Sequence, residues 1–196
     1  MEINQTAAPP PEATAAIEAT VRSHIRAAAR KRQTTAEHAE AGIRLRVFAL
    51  DPRGPISAPD LAKAQSSGWR YVLTRDGDPV ATGDVELVDD HIRVSGVSRN
   101  ANQARVLQST LRNAYSVAYN THIDGAFEPR LFEVPAFHVF AVWFHGPQDV
   151  FVVPESDKEV DHPQVMKLND MVDLVNRAYV AKASSRDRSI FSLEDP

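Results

Sequence analysis

The chain has 196 residues, 43% hydrophobic and 24% charged, with 22 basic and 26 acidic side chains for a net charge of −4. That profile is of one soluble globular domain with short appended segments; it excludes a disordered or membrane-embedded chain and gives no global positive field to draw it onto nucleic acid or anionic lipid. The lack of cysteine excludes disulfides, thiolate metal centres, iron–sulfur clusters and cysteine nucleophiles.

Residues 1–12 end in Ala7-Ala8-Pro9-Pro10-Pro11-Glu12, a run too polar and too proline-rich to bury itself, so a disordered N-terminal arm is expected. Glu2, Glu12 and Glu18 among alanines and prolines argue against a secretory or organelle signal, which makes a cytoplasmic protein the expectation. A helical segment over 13–41 follows. In it Ile17, Val21, Ile25 and Ala28 fall on one face and Arg22, Arg26 and Arg30 on another, and Arg30-Lys31-Arg32 complements the negative end of the helix dipole. Gly42 is expected to stop it. The core domain then runs over 42–183, before a polar tail over 184–196.

Ile43 to Leu50 alternates, with Arg44 and Arg46 on one side, and reads as a strand with one wet face. Pro52, Pro55 and Pro59 forbid regular structure until Ser57 or Ala58 opens a short helix that runs to Gln65 and ends at Gly68. Trp69 to Arg75 and Val80 to Leu87 flank Asp76-Gly77-Asp78-Pro79, a hairpin signature because aspartate and glycine tolerate positive φ. His91 to Val97 extends that hairpin to a three-stranded meander. Ser98 or Asn100 caps a helix with Ala104, Leu107, Leu111, Ala114 and Ala118 on one face. Leu131 to Phe144, apolar on both sides, reads as a central strand or one bent at Pro135. Val150 to Val153 returns antiparallel, and a last helix spans about Gln164 to Ala183. With no repeated strand–helix alternation, the fold class is α+β: an antiparallel sheet, meander plus hairpin, covered by helices, with an N-terminal amphipathic helix. The longest apolar stretch, Pro135 to Phe144, is interrupted by His138 and reaches about half a bilayer, so no membrane association is expected.

Several residue groups carry chemical potential. His138, flanked by Phe137, Val139 and Phe140, reads first as a hydrogen-bonded core histidine, and otherwise as a catalytic base working with Asp84 or Glu86. His145, seven positions on, lies too far along a strand to share its site and reads as turn polarity. Asp84, Glu86, Asp89, Asp90 and His91 suit a hard cation, yet they lack the spacing and glycine of a calcium loop and read better as the wet face of a hairpin paired to Arg75 or Arg93. Asp161 and His162 read as a solvated loop pair. Neither a nucleophile elbow nor a phosphate-cradling glycine loop is present, so no metal and no cofactor are expected.

Trp69 and Tyr71 share one face of their strand while Arg70, Val72 and Thr74 share the other. If that strand lies at the sheet edge, it can receive an extended peptide; otherwise Trp69 and Tyr71 simply face the core. Because no group of polar residues converges in the sequence, the leading expectation is a non-catalytic binding or accessory protein, probing a peptide or protein partner through a sheet edge and helix surfaces and forming a homodimer through its terminal helices. The alternatives are a small-pocket enzyme, of hydrolase or isomerase type, built on His138 with Asp84 or Glu86, and a nucleic-acid-binding regulator using Arg22, Arg26 and Arg30, which the acidic balance opposes.

Overall fold

A computed structural model describes residues 2–3, 9–32, 40–89, 91–98, 100–120, 126–154 and 164–191. Two residues at the turn after Arg75, Asp76 and Gly77, take positive φ of 51° and 85°, which matches the twist of the strands they join. They connect β3 (Gln65–Arg75) to β4 (Asp78–Val88). β5 (His91–Ser98) adds to β4, and β2 (Glu40–Ala49) pairs antiparallel with the other side of β3. The meander is therefore four-stranded, and Gly42, expected to end a helix, lies inside β2.

From β5 the chain enters α3 (Ala101–Asn120). Asn100 caps it, its side-chain oxygen accepting from the backbone N–H of Asn102 at 3.1 Å and Gln103 at 3.3 Å, as N-cap chemistry requires. Ala104, Leu107, Leu111 and Ala114 are buried at the period of one helix face. This helix carries the chain back across the sheet, so that β6 (Ala126–Val134) lands beside β2 and parallel to it, with Arg46 to Ala49 in register with Arg130 to Glu133. The stretch expected as one long strand is a hairpin: a 3-10 turn at Pro135–Phe137 separates β6 from β7 (Val139–His145). Pro135 lacks the N–H that continued pairing needs and sits at the first position of that turn. β8 (Val150–Val153) and β9 (Gln164–Lys167) follow antiparallel. Gln164 to Lys167 are thus strand, not the start of the last helix, because all four pair in register with β8, with Met166 buried opposite Phe151.

The sheet runs β5-β4-β3-β2-β6-β7-β8-β9, mostly antiparallel and open, and β1 (Glu2–Ile3) pairs parallel with Ala126 and Phe127 of β6. With helices on both faces, the architecture is α+β. The N-terminal arm contributes β1, and Pro11 and Glu12 already belong to α1 (Pro11–Arg32); residues 1 and 4–8 lie outside the described residues. Three apolar clusters hold the layers together. Under α3, Leu45, Val47, Val72, Leu131, Val142 and Phe144 form the first. On the opposite face α1 buries Ala13 and Ile17 against Trp69, Tyr71, Leu73 and Val85. Further along that face, α2 (Ala58–Leu61) and α4 (Leu168–Phe191) bury Leu61, Met171 and Val175 against Phe132, Trp143 and Phe151.

Candidate functional site

β3 is an interior strand, flanked by β4 and β2. Its backbone is committed on both sides, so the condition under which Trp69, Arg70, Tyr71, Val72 and Thr74 would receive a peptide is not met. Trp69 and Tyr71 face α1 in the core, where the Tyr71 hydroxyl lies 3.3 Å from Thr14 Oγ1, and Val72 packs under α3. Burial pushes the Tyr71 hydroxyl above its ordinary value.

Arg70 has a specific role. Cross-strand register places it opposite Asp84 of β4, and its Nε donates to Asp84 Oδ1 at 2.6 Å. Its Nη1 donates to Glu133 of β6, which sequence reasoning did not single out. One guanidinium thus spans two carboxylates from strands on either side of β2. Glu133 is 16% exposed and Arg70 21%. Burial lowers the Arg70 guanidinium, but the hydrogen bond with Asp84 and the attraction of both carboxylates outweigh it and hold it above its ordinary value. Burial pushes the Glu133 carboxyl up, and Arg70, shared with Asp84, does not compensate. A signal existed in the sequence: an arginine and an acid flanking a strand pair on one face. What was missing was the β2–β6 pairing that brings Glu133 near.

His138 is not a core histidine. It is exposed, in the left-handed region at φ 54°, and closes the 3-10 turn through its backbone N–H to Pro135 O at 3.3 Å. The αL conformation puts its side chain outside strand periodicity, which the long-strand reading did not allow. Asp84 is engaged by Arg70 instead, and neither His138 nor Glu86 forms a side-chain hydrogen bond with the other residues expected to work with it, among the described residues. Beside the turn a cleft of about 460 Å³ is lined by Asp51, Arg53, Phe137, Tyr179 and Lys182; neither Asp84 nor Glu86 reaches it. His145 joins Asp149 at 2.8 Å across the β7–β8 turn, as the reading of turn polarity implied.

Glu86 faces Arg93 in register, and among the described residues no cluster of three or more His, Asp or Glu side chains is placed to hold a metal. Asp89 takes positive φ at the β4–β5 turn; Asp90, Asp161 and His162 lie outside the described residues. The side chains of Arg22, Arg26 and Arg30 also lie outside them. Of the apolar stripe of α1 that argued for a partner subunit, Ile17 is buried on the chain's own sheet beside Ala13, both 0% exposed; the side chains of Val21, Ile25 and Ala28 lie outside the described residues.

Among the described residues the sheet ends in β5 on one side and β9 on the other. β5 is eight residues long, and His91, Arg93 and Ser95 are exposed in alternation. Its register with β4 shifts by one residue near Ser95, a bulge that bends an edge. β9 has four residues, and Val165 is 45% exposed. No described helix is long and apolar enough to cross a membrane. No family model, no curated protein and no solved structure matches the chain.

Proposed function

We propose a non-catalytic binding protein of the cytoplasm that takes an extended peptide segment of a partner onto the outer edge of β5. The observation that carries this is the placement of β5: it closes the sheet path with eight residues, its inner side hydrogen-bonded to β4. A terminal strand offers backbone donors and acceptors in a row, and an added strand satisfies them. α1 packs against this end of the sheet and α3 lies against β4 on the opposite face, so the edge is rigid before it binds, which lowers the entropy cost of capture. The bulge near Ser95 confines a straight register to His91–Val94. Arg93 and His91 alternate with Ile92 and Val94 there, a pattern that prefers acidic side chains on one face of the incoming strand. The same edge gives the homodimer form of this reading, two β5 strands pairing about a twofold axis.

Successive N–H groups of a strand point to opposite sides, so of Arg93→Pro and Val94→Pro one removes an outward donor and the other an inward one. A displayed peptide library selected on the wild type is expected to yield binders that the outward-donor variant loses while it keeps the wild-type circular dichroism. Hydrogen exchange in the complex is expected to slow at His91–Val94. Protection arising elsewhere, or equal binding by both proline variants, rejects the edge. Light scattering on the free protein assigns the homodimer if two copies are found together with protection of the same amides.

A further inference from the structure

β2 is paired on both sides over Arg46–Ala49, yet on the face it shares with α1 and α4 it carries arginines. Arg44 is exposed and Arg46 half-buried. α1 covers Trp69, Tyr71 and Leu73 to one side, and α4 with α2 covers Phe132, Trp143 and Phe151 to the other. The arginines line the gap between. The usual reason for a charge on a strand, blocking edge-to-edge aggregation, does not apply at Arg46, where both edges of β2 are occupied.

Parallel register sets Arg46 beside Arg130 of β6, at the spacing of neighbouring strands, about 4.8 Å. Both guanidiniums lie over the Phe48 ring, at 5.5 and 4.3 Å, and Arg130 also over Trp143 at 5.0 Å. Two like charges side by side repel unless an anion lies between them. Among the described residues the carboxylate bonded to them is Glu128, whose Oε2 accepts from Arg130 Nε at 3.1 Å and Nη2 at 2.6 Å. Arg46 has only the neutral Ser66 hydroxyl at 2.9 Å, and Arg44 forms no ion pair or hydrogen bond among the described residues. Trp143, 2% exposed, adds an indole N–H with no acceptor beside Arg130. Among the described residues, Arg44 and Arg46 thus have no carboxylate bonded to them, Arg130 has Glu128, whose second oxygen Oε1 is itself buried without a donor, and on the α1 side Glu18 accepts from the backbone N–H of Ala41 on β2 at 3.4 Å.

We propose that this gap binds a phosphoryl group, held between Arg46 and Arg44 with Arg130 behind them. A planar carboxylate engages one guanidinium fork, whereas a tetrahedral dianion presents oxygens to several at once; the spread of the arginines along β2 and across to β6 suits the second. The group can belong to a phosphorylated side chain of a protein or to a small phosphomonoester. The site lies on a different strand from the β5 edge, so it stands or falls independently of peptide addition there.

Calorimetric titration of the full chain with inorganic phosphate, with a phosphoserine peptide and with its unphosphorylated twin tests the proposal. Binding of phosphate or the phosphopeptide is expected, with none for the twin. Affinity is expected to fall about tenfold or more in Arg46→Gln and in Arg44→Gln, and less in Arg46→Lys, which keeps the charge but loses the fork. Arg105→Gln, an exposed arginine of α3, removes the same charge and is expected to leave affinity unchanged; wild-type circular dichroism in each variant excludes misfolding. A phosphopeptide that binds more tightly than free phosphate assigns the source to a modified protein, and the reverse assigns a metabolite. No heat at millimolar ligand, or isotherms equal in wild type and Arg46→Gln, overturns the site.

Discussion

Arg70 shows how a single side chain sets the energetics of its surroundings. It neutralises Asp84 and Glu133 together, so removing it leaves two part-buried carboxylates facing each other. Arg70→Met is expected to lower the unfolding free energy by about 2–4 kcal/mol, at the lower end for a buried pair because the group keeps some solvent contact; chemical denaturation measures it. Glu133 behaves differently. Burial pushes its carboxyl above its ordinary 4.5, so the folded chain holds that proton more tightly than the unfolded one. The stability this contributes is fully present below the unfolded value and is lost as pH rises through the raised folded value. Glu133→Gln is therefore expected to melt at or above the wild-type temperature at neutral pH, with the difference closing as pH falls below that ordinary value. A melting curve of Glu133→Gln lying well below wild type at neutral pH would show that the ion pair, not burial, dominates.

Among the elements, α1 docks on the sheet through Ala13 and Ile17. Ile17 is fully buried and sits over Gly83, where an added Cβ would come within 2.5 Å of its Cδ1; the glycine is what lets the helix approach. Ile17→Ala is expected to cost about 2–4 kcal/mol and to raise hydrogen exchange first in residues 11–20, with the amides of β6 and β7 unaffected. The elements most legible in the sequence were those fixed by local chemistry: Asp76-Gly77 between alternating strands, Asn100 before a 3.6-residue period, the proline run before Ser57. Those misread were fixed from a distance. Pro135 carries the same mark whether it bends a strand or ends one, and only the pairing of Val134 with Val139 distinguishes them. Gln164 to Lys167 look helical by composition, and it is the β8 edge that makes them a strand. The candidate site was half visible: Arg70 and Asp84 were both singled out, for separate reasons, and meet through the β3–β4 register, whereas Glu133 joins them by a parallel pairing that no local pattern announces. The arginines of β2 were seen as a wet face, though not that the wetness persists in the interior of the sheet.

At the scale of the whole molecule, two half-sheets, β5-β4-β3-β2 and β6-β7-β8-β9, meet along the parallel pairing of four residues on each strand. α3 stitches them, since its cluster draws Val72 from one half and Val142, Phe144 and Val152 from the other. Leu111, 1% exposed, belongs to that cluster. Leu111→Ala is expected to cost about 2–5 kcal/mol and, unlike Ile17→Ala, to raise exchange in β3 and β7 alike; loss confined to one half would show that α3 does not couple them.

The seam has a further consequence for how the chain reaches this state. β2 leaves the ribosome long before β6, and until β6 arrives one side of Val47 and Phe48, which end beside Leu131 and Phe132, has no strand to lie against. The nascent meander thus carries an unpaired strand edge of backbone donors and acceptors from the emergence of β2 until β6 follows, a template for wrong pairing in that interval.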